Sequence, residues 1–338
     1  MAPFARDTPS TPALAELLET ASVVAIPTRT RFRGISVREA VIFAAPAGAS
    51  EFSPFPEYDD HEGARWLAAA IEFGWGEVPL PRRGFIAVNA TVPAVSAEEV
   101  PGVLARFPGC RTAKVKVAER GQSLADDVAR VAAVRDALGD DASVRVDANG
   151  GWSVAEALDA LAQLAPLGLD YAEQPCATVP ELAELRTRLA RAGLAVRIAA
   201  DESIRRSEDP LAVARAGAAD LIVVKAQPLG GIAEALSIIE RAQLPVVVSS
   251  ALDTSVGISM GLHLAAALPE HALAGACGLG TVALLAGDVV TEPLIPAGGE
   301  LPVRRPTLDA AALERFRAEP ERERWWRERI ARCYAQLP

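Results

Sequence analysis

Five short apolar runs, in order along the chain, each end on ionisable side chains, and this pattern constrains the fold more than any other feature. The runs are residues 112–118, 144–149, 170–175, 198–203 and 221–226, and they carry Lys114 and Lys116, then Asp147, Glu173, Asp201 and Lys225. Lys, Asp and Glu are almost never buried without a partner. A charge at the end of a buried strand, five times over, asks for a site. Lys114 to Asp147 is 33 residues, Asp147 to Glu173 is 26, Glu173 to Asp201 is 28 and Asp201 to Lys225 is 24. Each interval holds one strand, one helix and two short loops.

Helix signals fill those intervals. Residues 96–99 and 153–156 read as capping boxes. Residues 123–138 place Leu124, Val128, Val131 and Leu138 on one face. Pro180 and Gly193 bracket a further helix, and residues 211–216, 232–242 and 257–268 are helical. Strands are also expected at 86–90, 244–250 and 274–280. Strict βα alternation predicts a parallel sheet. Eight strands in roughly 200 residues fit a closed barrel with its site at the strands' C-terminal ends. The fold class is therefore α/β, a modified TIM barrel of (β/α)7β type. An open doubly wound sheet would want a Gly-rich turn after the first strand, and residues 90–93, Ala-Thr-Val-Pro, are not one.

The flanks have a different rhythm. Residues 22–55 read as antiparallel strands, and residues 59–73 as an amphipathic helix with Trp66, Leu67 and Ile71 inward. The tail, 308–336, is a charged helix with Trp325, Trp326 and Tyr334. It is expected to fold back on the N-terminal part with its Arg/Glu face solvated. The division is an α+β capping domain over 1–84, completed by 287–338, around a catalytic barrel at 85–286.

Several classes are excluded by composition. Net charge is −10, and no basic stripe lies outside the tail, which argues against a nucleic-acid partner. The most apolar region, 255–290, is interrupted by His263, Glu270, His271 and several glycines, so no membrane span is expected. The N-terminus lacks a basic start followed by an apolar block, so no signal peptide is expected. Cys110, Cys176, Cys277 and Cys333 have neither zinc nor redox spacing and read as reduced thiols of a cytoplasmic protein. Nothing here fixes the oligomeric state, and a monomer is compatible with it.

Side chains alternate along a strand, so Lys114 and Lys116 share a face, as do Asp147 and Asn149. Barrel order makes Asp147, Glu173 and Asp201 neighbours on an arc, where they would repel one another without a cation. Hard oxygen ligands suit Mg2+, with Mn2+ as a substitute. Lys116 and Lys225 flank the arc and would face each other across a bound small-molecule carboxylate. That geometry describes abstraction of an α-proton, with the cation holding the charge that develops. A free lysine sits at about 10.4, and nearby cations, Lys114 among them, would lower Lys116 toward a working base.

These residues, as Lys114-x-Lys116, Asp147-x-Asn149, Glu173-Gln-Pro175, Asp201-Glu-Ser203 and Lys225, resemble the muconate-lactonising branch of the enolase superfamily. Within it, the stretches 31–34, 51–57, 249–255 and 278–281 resemble the o-succinylbenzoate synthase family in its actinobacterial form. The resemblance covers nearly the whole chain. It implies a hydro-lyase of menaquinone biosynthesis. The reaction would be dehydration of 2-succinyl-6-hydroxy-2,4-cyclohexadiene-1-carboxylate to 2-succinylbenzoate through an enediolate. Lys116 would take the α-proton and return it to the leaving hydroxyl, Lys225 would stabilise the enediolate, and Asp147, Glu173 and Asp201 would hold the metal. It further implies that Ser249, Ser250, Gly278 and Gly280 hold the succinyl end, and that the loop around Arg31 closes as a lid. Asn149 lies either beside a ligand or on the substrate.

Each of these charges alone would read as a surface or loop group, and only the set argues for a site. Glu202 alternates away from Asp201 and reads either as a support behind the ligand residues or as structural. No histidine falls at a strand end, against the superfamily's histidine-base branches. Two other readings stay open: an N-acylamino-acid racemase or dipeptide epimerase on the same residues, and a catalytically idle scaffold.

Overall fold

The computed structural model describes residues 11–205 and 209–337; the first ten residues, where the absence of a leader is expected, lie outside the described residues. Strands β1 (Ala21–Phe32), β2 (Ile35–Phe43) and β3 (Ser50–Phe52) pair antiparallel in that order. The helix Asp60–Trp75 follows. The sheet, this helix and the C-terminal helix Pro320–Tyr334 share one apolar cluster that includes Leu17, Phe43, Phe52, Trp66, Trp326 and Ile330. Burying a side chain such as Ile330 stabilises by about 1.5–3 kcal/mol. The tail thus returns to the N-terminal sheet, as its aromatic residues suggest. Its charged face is not wholly solvated, since Arg329 is buried and donates to the carbonyls of Phe55, Pro56 and Tyr58.

Next come β4 (Phe85–Ala87), β5 (Ala90–Val92), β6 (Thr112–Lys116), β7 (Ser143–Asp147), β8 (Leu169–Glu173), β9 (Arg197–Ala200), β10 (Leu221–Val224) and β11 (Val246–Val248). β5 to β11 form a parallel sheet in strict chain order. β10 reads Leu-Ile-Val-Val and is buried throughout, as a strand covered on both faces must be. Capping boxes at Ser123, Ser153 and Thr178 begin the helices Leu124–Leu138, Val154–Leu164 and Val179–Arg191. Each supplies a side-chain acceptor to first-turn N–H groups that have no partner within the helix.

The sheet closes through residues 277 and 278. Gly278 N donates to Val248 O at 2.8 Å, Cys277 N to Ala87 O at 2.7 Å and Asn89 N to Cys277 O at 2.9 Å. The result is a modified TIM barrel carrying an α+β cap. Its two ends differ from the sequence expectation. The predicted strand 274–280 is only a pair of bridges, because its glycines serve close approach: a Cβ at Gly278 would lie 2.5 Å from Ser249 Oγ. The predicted strand 86–90 divides in two. β4 pairs antiparallel with β12 (Glu300–Pro302), and the barrel strand proper starts at Ala90. Apolar alternation runs through Ile86, Val88, Ala90 and Val92 without a break, so periodicity cannot reveal the change of partner.

Two carboxylates of the cap hold the barrel by helix N-termini. Glu72 accepts from Ile232 N and, at 2.9 Å, from Ala233 N, at the start of the helix Ile232–Ala242. Gly231 precedes it with φ +130°, and a Cβ there would meet Glu72 Oε2 at 1.9 Å. Glu51 accepts from Thr254 N at 3.1 Å and Gly257 N at 3.0 Å, at the start of the helix Ser255–Ala267. An anion at a helix N-terminus meets both unpaired N–H groups and the favourable end of the dipole. Glu72→Ala should destabilise the protein by about 0.5–2 kcal/mol, the cost of removing a side chain that caps a helix N-terminus. Urea unfolding checks this, and a change below about 0.5 kcal/mol, the ordinary range of a surface substitution, would show that the clasp carries no load.

Candidate active site

Register brings the charged strand ends together. Lys116 lies opposite Asp147 and Asp147 opposite Glu173, so three strands place their last residues side by side. Asp201 and Lys225 follow directly on β9 and β10. Beyond β6, β7 and β8 the chain turns through Ala118, Asn149 and Gln174, with φ of +60°, +47° and +39°. Left-handed backbone costs a non-glycine residue roughly 1–2 kcal/mol, and such strain gathers at sites that need a fixed geometry. Gln174 repays it by accepting from Asp201 N and Ser203 N while donating to Ser203 Oγ. It thereby ties the end of β8 to the end of β9.

All six charges are buried. Lys116 Nζ donates to Asp147 Oδ2 at 2.5 Å and to Asn149 Oδ1 at 2.7 Å. Lys114 Nζ sits between two carboxylates, 2.7 Å from Glu173 Oε1 and 3.1 Å from Asp147 Oδ2. Lys225 Nζ pairs with Asp201 Oδ2. Burial pushes the Lys116 amine below its ordinary value; Asp147 opposes that and Lys114 reinforces it. Lys114 moves the other way, because Glu173 and Asp147 outweigh its burial. Burial alone would raise Asp147, but Lys116 and Lys114 hold it well below the usual carboxylate range. Glu173 is pushed up to about 7 by burial and by the Asp147 carboxylate. Neighbouring carboxylates driven apart in this way are a signature of working sites.

The site opens into a cleft. The three lysines, Asp147, Asn149 and Asp201 line it, with Ser249, Ser250 and Gly278 on the far wall. Ser250 Oγ donates to Gly278 O at 2.8 Å and lies 2.8 Å from Thr281 Oγ1. Glu173 lies beneath, held by Lys114. The structure does not bring two expected residues to the cleft. Arg31 is exposed and donates to Gly34 O, while its neighbours Phe32 and Arg33 line the wall. Alternation along β1 sends Arg31 outward and Phe32 inward, where Phe32 is buried and its ring lies 5.4 Å from Lys116 Nζ. Gly280 packs behind the barrel, its α-carbon facing Asn89 O and the Phe107 ring.

Sequence reasoning missed Thr91, Glu202 and Leu252 in the lining. Thr91 lies opposite Lys114 in register and was hidden by ending the first strand at Ala90. Glu202 does not turn away, because β9 ends at Ala200 and strand alternation no longer applies. Leu252 takes φ +64° in a loop, which no apolar period marks.

Three carboxylates from successive strands offer the hard oxygen donors that a divalent cation takes. Glu173 Oε2 is buried without a hydrogen-bond partner, and Asp201 Oδ1 faces only the Arg205 guanidinium, with Nε 3.3 Å away, so the donor set fits such an ion. As placed, each carboxylate turns to an ammonium. Among the described residues, no three His, Cys, Asp or Glu side chains gather as a metal cluster.

Comparison with known proteins agrees with this architecture. Residues 98–307 match the family model described as enolase C-terminal domain-like, and residues 23–77 match enolase N-terminal domain-like. A protein of Mycolicibacterium smegmatis named o-succinylbenzoate synthase is 55% identical over 327 residues, spanning 96% of this chain and 98% of its own. The protein of that name from Mycobacterium tuberculosis is 56% identical over 330 residues, spanning 97% and 98%. Among solved structures, 2-chloromuconate cycloisomerase from Rhodococcus opacus superposes with TM-score 0.73 at 24% identity, covering 89% of this chain and 98% of that one. N-succinyl Arg/Lys racemase from Bacillus cereus gives 0.72 at 20%, covering 88% and 97%. Those two likenesses speak to the fold. The near-full-length identities and the match over more than half the chain speak to descent: the chain belongs to the o-succinylbenzoate synthase family of the enolase superfamily.

Proposed function

We propose that this chain is a hydro-lyase of menaquinone biosynthesis that dehydrates 2-succinyl-6-hydroxy-2,4-cyclohexadiene-1-carboxylate to 2-succinylbenzoate. The observation that carries the reading is identity of 55–56% over nearly the full length to relatives named for that product. The cleft supports it, since it sets buried amines around a carboxylate arc.

The chemistry follows from the residues. Lys116, whose burial favours the neutral amine, takes the proton from C1, and the electron pair moves into the adjoining carboxylate to give an enediolate. The C6–O bond then breaks, and the Lys116 ammonium returns its proton to the departing hydroxyl, which leaves as water. Aromatisation drives that second step. Lys225, paired with Asp201, would offer its positive charge to the enediolate from the other side. Burial of Lys116 favours its neutral form, and Lys114 adds to that. The Phe32 ring lies over the amine, 5.4 Å from Nζ. Asp147, Glu173 and Asp201 would hold a divalent metal, as members of this superfamily do; we take the ion to be Mg2+, with Mn2+ able to replace it. When bound, the ion supplies charge that offsets the second negative charge growing on the substrate carboxylate. Ser249, Ser250 and Gly278 would meet the succinyl end. All four cysteines are free and buried, the usage of a reducing compartment, and we infer a cytoplasmic enzyme.

The racemase reading gains nothing from the racemase and cycloisomerase likenesses, which at 20–24% identity bear on fold alone. One assay separates the two. The cyclohexadiene carboxylate with Mg2+ should give the aromatic product, followed beside N-succinyl amino acids monitored by optical rotation. Racemisation without dehydration would overturn the proposal. Lys116→Ala should lower kcat by about 10²–10⁴-fold, the range for removal of a general base, with Mg2+ binding by calorimetry retained. A near-normal rate would show that Lys116 is not the base. Chelation should abolish turnover, and added Mg2+ should restore it. Full activity after exhaustive chelation would remove the metal from the reaction.

A further inference from the structure

Lys116 does not depend on Asp147 alone. Its second acceptor, Asn149 Oδ1 at 2.7 Å, belongs to an amide whose Nδ2 donates to Glu202 Oε1 at 3.2 Å. That same oxygen accepts from Arg205 Nη2 at 2.7 Å. Arg205 Nη1 in turn donates to the Tyr58 hydroxyl at 3.1 Å. Four consecutive hydrogen bonds therefore run from the proposed base to a side chain of the cap. An amide has one acceptor end and one donor end, so the Glu202 carboxylate decides which end of Asn149 faces Lys116. A carboxylate can decide this only if it is itself fixed. Arg205, 3% exposed, does so through the fork geometry of its guanidinium, and Tyr58 holds the guanidinium from the opposite side.

Tyr58 is placed with equal care. Its ring packs against Phe55 at 5.6 Å and Trp66 at 6.2 Å between centroids. Its carbonyl accepts from Arg329 Nη2 at 2.5 Å. The hydroxyl can thus be removed without disturbing what positions the ring.

We propose that Tyr58, Arg205, Glu202 and Asn149 form a positioning chain that fixes the direction of the Lys116 amine, and that Tyr58 makes this alignment depend on the docked cap. The proposal rests on the reading of Lys116 as base. Tyr58 touches no reacting atom; its hydroxyl also accepts from Arg33 Nη2 at 3.5 Å. A displacement of about 1 Å at a reacting group can cost about 10²-fold, and loss of one distant member should cost less.

The test is Tyr58→Phe in the full chain with saturating Mg2+. The expected result is a fall in kcat of about 5–20-fold, below the 10² scale of a misplaced reacting group, with KM and melting temperature unchanged. The kinetic isotope effect with substrate deuterated at C1 should rise, because proton transfer becomes slower relative to other steps. Tyr58→Phe combined with Asn149→Ala should lose less than the product of the two single losses, as members of one network do. A kcat within twofold of the unaltered protein, or losses that simply multiply, would overturn the proposal. So would a loss matched by weaker Mg2+ affinity in calorimetry, since that would place the effect on Asp201, whose Oδ1 lies 3.3 Å from Arg205 Nε. If the unaltered protein forms no aromatic product, the reading of the reaction fails instead, and the two failures are distinct.

Discussion

Three lysines and three carboxylates share one buried patch, and the rest of the structure is arranged to make that tolerable. A buried charge without a partner is costly, whereas a paired and hydrogen-bonded one can be borne. Here Lys116 serves Asp147, Lys114 bridges Asp147 and Glu173, and Lys225 serves Asp201. The bridging amine matters most. It draws two carboxylates of adjacent strands together and adds positive charge beside Lys116. Glu173, pushed up to about 7, is the carboxylate with least to hold it in the ionised form.

Around this patch the protein is stiff where the chemistry needs it. Gln174 locks two strand ends. Arg130, fully buried, donates to the carbonyl of Lys116 at 2.8 Å and pairs with Asp127. The cap reaches the barrel through Glu72 and Glu51 at helix N-termini, and through Phe32 over the amine. The C-terminal helix grips the 55–58 segment with Arg329. Base alignment and cap docking are therefore parts of one mechanical system, although they lie far apart in sequence.

Much of this architecture is legible in the sequence. Strand spacing and the charges at strand ends specify a barrel and an arc of charges at its strand ends, because period and charge placement are local signals. Arg31 and Gly280 lie outside the cleft lining for opposite reasons. Arg31 was read from its loop, yet the face it takes depends on the register of β1 with β2, which a sequence does not state. Gly280 stands beside Gly278, and only the barrel's closure shows that one faces Ser249 and the other Phe107. The chain from Tyr58 to Lys116 joins residues 58, 205, 202, 149 and 116. No local pattern announces it, since each member reads alone as an ordinary polar residue.

The central claim is that the carboxylate arc takes a divalent ion and presents substrate to Lys116. A crystal structure with Mg2+ and 2-succinylbenzoate tests it most directly. The account predicts oxygens of Asp147, Glu173 and Asp201 at about 2.0–2.1 Å from the ion, and Lys116 Nζ about 3–3.5 Å from the ring carbon bearing the carboxylate. An ion held elsewhere, with the three carboxylates still on their lysines, would contradict it.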